Sequence, residues 1–140
     1  MHRFTIRVRY GDTDQMGFAY YGNYLRWFEI GRAEMMRSLG RSYREIESLG
    51  IWLPVLEARC RYLRPARYDD EVVIATGVRE LGRASVRFGY RILRGAGDEL
   101  LAFGLTEHCF MAPGERPVRP PTELRELLAA APAALPDPGA

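Results

Sequence analysis

The sequence contains no lysine; all 20 of its basic residues are arginine. Histidine and cysteine are almost as scarce, with only His2, His108, Cys60 and Cys109. There is no G-x-S-x-G segment, and the two histidines fall far from any serine motif, so no Ser-His-Asp triad is visible. Cys60 and Cys109 lie on separate predicted strands without metal-ligand spacing, and read as free buried thiols in a reducing compartment. Glu107, His108 and Cys109 stand together, but period-two geometry turns His108 away from its neighbours, so the triplet is no ligand set and no metal is expected. No apolar run approaches the ~18 residues of a membrane span. The first strand begins too soon after Met1 for a secretory h-region, so a cytoplasmic, soluble protein is expected.

Charge is equally restrained. A formal net charge of +2, with arginine scattered along the chain, gives no concentrated basic face, so nucleic acid is not an expected partner. What arginine does offer is bidentate contact with any phosphate-bearing ligand. A chain of 140 residues suits one domain, 1–140, in which the Pro/Ala-rich segment 132–140 reads as a mobile tail.

Hydrophobic periodicity divides that domain into one long helix and about five strands. Phe4, Ile6, Val8 and Tyr10 alternate with polar residues, the period of a half-buried strand. From Asn23 to Leu39 the period changes: Tyr24, Trp27, Phe28, Gly31, Met35 and Leu39 fall near helical spacing, and Gly40 supplies a stop. These apolar residues read as core rather than as pocket lining. Ser42 to Glu45 has capping-box form for a short second helix that Gly50 ends. Strand patterns follow over Leu56–Tyr62, Glu71–Arg79, Ala84–Ile92 and Leu100–Met111, with a hairpin signal at Gly95–Asp98. Pro113 to Pro121 reads as a loop, and Thr122 as the cap of a short last helix. One amphipathic helix among these strands implies an α+β layer, an antiparallel sheet wrapped around a single central helix. A lone helix leaves apolar sheet area and strand edges uncovered, so association of copies edge to edge is expected.

The densest chemistry lies in Tyr10–Glu29, YGDTDQMGFAYYGNYLRWFE. Two carboxylates, Asp12 and Asp14, sit in a turn just before a helix start, where orphan N–H groups and the helix dipole favour developing negative charge. The segment D-x-D-x-x-G, an aromatic pair and N-Y before a helix resembles the signature of the 4-hydroxybenzoyl-CoA thioesterase family. The matching residues are Gly11, Asp12, Thr13, Asp14, Gly17, Tyr20, Tyr21, Asn23, Tyr24 and Trp27. RYLRPARYDDEVVI, Arg61 to Ile74, supports it. The resemblance covers roughly residues 3 to 112 and implies a hotdog fold, acyl-CoA thioester hydrolysis without a cofactor, and a site at the interface of a homodimer or homotetramer.

Carried onto this chain, the resemblance assigns the catalytic carboxylate to Asp14, acting as nucleophile or as general base. Asp12 reads as structural, holding the turn by Asx-type hydrogen bonds. The backbone N–H of Tyr21, with Gly22, would receive the oxyanion, and Gly17 and Tyr24 would adjoin the substrate. The Tol-Pal-associated thioesterases of the family carry histidine where this chain has Tyr21, so a mechanism through that histidine is absent and one centred on Asp14 is favoured. Arg64, Arg83 and Ser85 would meet the CoA moiety. Where the hydroxybenzoyl-CoA enzymes have three consecutive basic residues, this chain has Gly82, Arg83 and Ala84, of which only Arg83 is basic. The competing reading is a non-catalytic acyl-CoA-binding or regulatory hotdog module. A dehydratase of this fold would need histidine on the central helix, which has none.

Overall fold

Residues 1–139 are described here in a computed structural model. Five antiparallel strands form the main sheet: β1 (His2–Arg7), β2 (Val55–Tyr62), β3 (Glu71–Leu81), β4 (Ser85–Arg94) and β5 (Leu100–Cys109), in the order β1-β3-β4-β5-β2. The helix α1 (Asn23–Ser38) lies on the inner face, with α2 (Tyr43–Ser48) after it and α3 (Thr122–Ala129) near the C-terminus. The expected α+β arrangement, a sheet wrapped around one long helix, is therefore what the chain adopts.

Packing follows the predicted stripe. Tyr24, Trp27, Phe28, Gly31 and Met35 are all buried against the sheet. Phe28 stacks on Tyr90, with ring centroids 4.3 Å apart. Gly31 marks the closest approach of α1 to β3: a Cβ there would lie 2.3 Å from Thr76 Oγ1 and 2.5 Å from Ile74 Cγ2. Here glycine sacrifices helix propensity for contact between layers.

Several boundaries differ from the sequence reading. The first strand ends at Arg7, and Tyr10–Asp12 instead form a 3-10 turn in which Tyr10 is exposed. The last long strand stops at Cys109; Met111, expected as its end, instead belongs to β6 (Met111–Ala112), which pairs with β7 (Arg116–Pro117) inside the expected loop as a separate small ribbon. Pro121, not Thr122, occupies the N-cap of α3, and Thr122 starts the helix. Of the segment expected as a mobile tail, Pro132 to Asp137 are held on β3 and β4. Val78 N–H donates to Pro132 C=O (2.8 Å) and Ala134 N–H to Val78 C=O (2.9 Å). Arg79 pairs with Asp137 at 2.7 Å, and Arg91 donates to Pro136 C=O at 2.8 Å. The cause is topological: β1 pairs with β3 no further than Thr76, so the edge of β3 beyond it is free to bind the tail.

β2 forms the opposite edge. It pairs only with β5, and nearly all its residues are exposed, including Val55 and Leu56.

Candidate active site

β1 delivers the chain to a tight turn. Asp12 carboxylate accepts the Arg9 N–H (2.8 Å), and its carbonyl accepts both Asn23 Nδ2 (2.8 Å) and Tyr20 N–H (2.8 Å). Asp12 therefore ties the turn to the start of α1, the structural part read for it. Asn23 is the other half of that tie; the N-Y of the motif was legible, but its partner was not. Asp14 begins the next turn. Its Oδ1 accepts the Met16 N–H (2.9 Å), and its carbonyl accepts the Gly17 N–H (3.0 Å). Gly17 sits at φ +81°, a conformation that side chains other than glycine's rarely adopt, and so closes the turn. With Oδ1 occupied, Oδ2 of Asp14 has no partner among the described residues.

Asp14 lines a largely apolar cleft of about 260 Å³, together with Phe18, Tyr21, Tyr24, Tyr62 and Arg64. Its roof is the start of α1. There Asn23 N–H bonds to Tyr20 C=O and Tyr24 N–H to Tyr21 C=O. The Tyr21 and Gly22 N–H groups find no acceptor among the described residues, so both remain available at the positive end of the helix. Tyr62, a residue the sequence reading did not single out, fixes this segment. Its hydroxyl donates to Tyr21 C=O at 2.9 Å, and its ring packs in T-shaped pairs with those of Tyr21 and Tyr24. The only signal for it was its inward position at the end of β2.

The second motif forms the floor. Ala19 N–H donates to Ala66 C=O (2.8 Å), and Ala66 N–H donates to the Tyr24 hydroxyl (3.2 Å). Tyr24 thus lines the cleft with its ring while its hydroxyl is spent on the scaffold. Arg94 clamps the same loop through Asp70, Glu99 and Pro65 C=O. Burial pushes the Tyr24 and Tyr62 phenols up, so neither ionises near neutral pH. Arg64 stands at the rim, exposed, with Nε 3.3 Å from Glu99.

Asp14, Tyr21, Tyr24 and Arg64 thus line one cleft, while Gly17 and Gly22 adjoin its lining residues in sequence without lining it themselves. Arg83 and Ser85 lie apart from it. They occupy the β3–β4 hairpin, whereas the cleft lies by the Glu71 end of β3, which pairs with Arg7. Ten residues of strand separate the two ends, about 33 Å.

A carboxylate with a free oxygen beside unpaired helix-start amides can attack an acyl carbon, or activate water, while the amides hold the resulting oxyanion. Residues 16–101 match the model of the thioesterase superfamily, a span that begins two residues after Asp14. The chain belongs to this superfamily. It is 31% identical over 93 residues to the acyl-CoA thioester hydrolase YbgC of Escherichia coli, covering 66% of this chain and 69% of that one. Among solved structures, a hypothetical protein of Aquifex aeolicus superposes with a TM-score of 0.87 at 32% identity, over 91% of this chain and 99% of its own. A DHNA-CoA thioesterase of Staphylococcus aureus gives 0.79 at 33%, over 84% and 78%. The fold shared with these relatives is the hotdog fold.

Proposed function

We propose that this protein hydrolyses acyl-CoA thioesters, with Asp14 as the reacting carboxylate and the Tyr21 and Gly22 N–H groups as the oxyanion hole. The observation that carries this reading is the free Asp14 Oδ2 and the two unpaired amides around one apolar cleft, in a chain of the thioesterase superfamily. The acyl carbonyl oxygen is held by the amides, and its carbon faces Asp14. Asp14 attacks that carbon, giving a mixed anhydride that water opens, or it takes the proton of an attacking water. Either route expels the CoA thiolate. A thiol has a pKa of about 8.5, so the leaving group needs no general acid near neutrality, and one carboxylate suffices. No cofactor enters the reaction, and the free thiols of Cys60 and Cys109 suit a cytoplasmic setting.

In this proposal the CoA moiety passes Arg64 at the rim. Arg83 and Ser85 lie too far away to serve the same cleft, so their role in CoA binding requires another copy of the chain. A homodimer or homotetramer supplies one. The open edge of β2 is suited to antiparallel pairing with its own symmetry mate, because Glu57 then comes opposite Arg59 or Arg61 of the other copy, flanked by exposed Val55, Leu56 and Leu63. Thiol release from a panel of acyl-CoA esters tests the activity. Hydrolysis of at least one ester is expected, and binding without turnover across the panel would favour the non-catalytic module. Sedimentation at micromolar concentration tests the assembly. A species of two or four times 16.0 kDa is expected, and a lone 16.0 kDa species contradicts it.

A further inference from the structure

β1 is the edge of the sheet at the end opposite β2, and it pairs only with β3. Val8 shows which way its backbone groups point. The Val8 N–H donates to Asp70 C=O (2.9 Å), and the Val8 C=O accepts the Asp69 N–H (2.9 Å). Direction alternates along an antiparallel strand, so Ile6, Phe4 and His2 also turn theirs toward β3. The N–H and C=O groups of Arg3, Thr5 and Arg7 therefore point to the open side, where no described strand meets them.

A groove of about 510 Å³ runs between this edge and the first half of α1. Its apolar wall consists of Phe4, Ile6, Trp27 and Ile30, of which all but Trp27 are only half-buried. Arginine gathers at one end: Arg7, Arg9 and Arg26 line the groove against the single carboxylate of Asp12. Asp12 is committed to the Arg9 N–H, and Arg7 is held by Glu71 at 2.9 Å and Asp69 at 3.5 Å. Arg9 and Arg26 are exposed, and neither guanidinium has an ion-pair partner among the described residues.

Charge on an edge strand protects it from pairing with its own kind, but protection needs no apolar wall beside the edge. Here an unpaired strand backbone, a half-open apolar wall and uncompensated positive charge meet in one groove. Together they fit addition of an extended chain, in which main-chain bonds give affinity and alternate side chains give specificity. The pleat dictates the alternation, because each residue of an added strand shares the face of the β1 residue it opposes. Residues opposite Phe4 and Ile6 turn toward Trp27 and Ile30 and should be apolar. Those opposite Arg3, Thr5 and Arg7 turn outward and should be acidic, with Arg9 and Arg26 meeting carboxylates at the end of the groove. A small phosphate-bearing molecule would use those two arginines and leave the strand edge and the apolar wall without a role.

We propose that this groove docks an extended acidic segment of a partner protein, with carboxylate and apolar side chains alternating, as an added strand beside β1. The groove shares no lining residue with the Asp14 cleft and lies at the opposite edge from β2, so docking here is independent of the thioesterase reading. The probe is a fluorescein-labelled hexapeptide of alternating glutamate and valine, titrated with the full chain at low salt and followed by anisotropy. β1 is 6 residues long, about 20 Å, which an extended hexapeptide matches. Saturable binding with a Kd below about 0.1 mM is expected. A block-order peptide of the same residues keeps the charge but loses the alternation, and should bind roughly tenfold more weakly or worse. A peptide N-methylated throughout keeps charge and alternation but cannot donate strand bonds, and should weaken as much. On the protein, the double variant Arg9→Glu, Arg26→Glu should weaken the alternating peptide by roughly tenfold or more. Thr5→Pro removes an N–H that faces away from β3, so the sheet should persist while binding falls. The N-methylated peptide keeps the test open if that variant does not fold. No saturable binding of the alternating peptide up to about 1 mM overturns the proposal. Equal binding of the block-order or N-methylated peptide overturns strand addition and leaves charge attraction only. Binding unmoved by the double charge reversal overturns the placement at this groove.

Discussion

Replacing Gly31 by alanine sets two known effects against each other at the layer contact that positions α1. In an isolated helix the change is favourable by about 1 kcal/mol. In this protein the new methyl would lie 2.3 Å from Thr76 Oγ1 and 2.5 Å from Ile74 Cγ2. Both neighbours are β-branched and fully buried, so neither can swing aside without leaving its rotamer. The helix must instead lift from β3, and overpacking of a tight core costs about 1–3 kcal/mol. Two contacts on stiff partners place this case at the upper end, so a net loss of about 2 kcal/mol is expected. For a domain of this size that corresponds to a fall in Tm of roughly 8 °C. Urea denaturation monitored by tryptophan fluorescence measures the loss. Adding Thr76→Ala to Gly31→Ala should recover part of it, giving a coupling of at least about 0.5 kcal/mol. A neutral or stabilising Gly31→Ala, or strictly additive effects, would refute the claim that α1 rests directly on β3 at this point.

Two further outcomes follow from the site and its surroundings. His108 has a folded pKa of about 4 against 6.5 when exposed, so the unfolded chain takes up its proton first as pH falls. The contribution is intact above pH 6.5 and is lost as pH falls toward 4, amounting to about 2 kcal/mol between pH 7 and pH 5; denaturation midpoints of wild type and His108→Gln should converge over that range, and parallel pH profiles would show that His108 is not held neutral. Arg83→Ala should raise KM for a CoA ester with little change in kcat, the pattern of uniform binding. An N-acetylcysteamine thioester of the same acyl group lacks the nucleotide and should hardly respond, so equal losses on both substrates would place Arg83 elsewhere.

The parts of the fold that were legible in the sequence are those written in local period. Tyr24, Trp27, Phe28, Gly31 and Met35 announced α1 and its buried face, and the alternation from Val86 to Ile92 announced β4. Strand ends depend on partners distant in sequence. Tyr10 has a strand residue's pattern, yet Asp12 draws its segment into a 3-10 turn by bonding the Arg9 N–H. The Pro/Ala-rich tail has the composition of a mobile segment, but β1 is short and leaves the Val78 edge open to it. The site divided in the same way. Asp14, Gly17 and Tyr21 are close in sequence and came together. Arg83 and Ser85 were joined to them only by resemblance, and the length of β3 keeps them apart within one chain. Tyr62 carried no motif, because its importance lies in contacts between the end of β2 and the start of α1.

The most direct test of the account is the Asp14→Asn variant. Asparagine is nearly isosteric and can keep the Met16 N–H contact through its Oδ1, so fold and assembly should persist, as sedimentation and circular dichroism would report. It lacks the charge that either a nucleophile or a base requires. Measured on the best ester of the panel, kcat should fall by roughly 10²-fold or more, with binding of the ester retained. A kcat equal to that of the wild type would contradict the assignment of Asp14 as the reacting carboxylate.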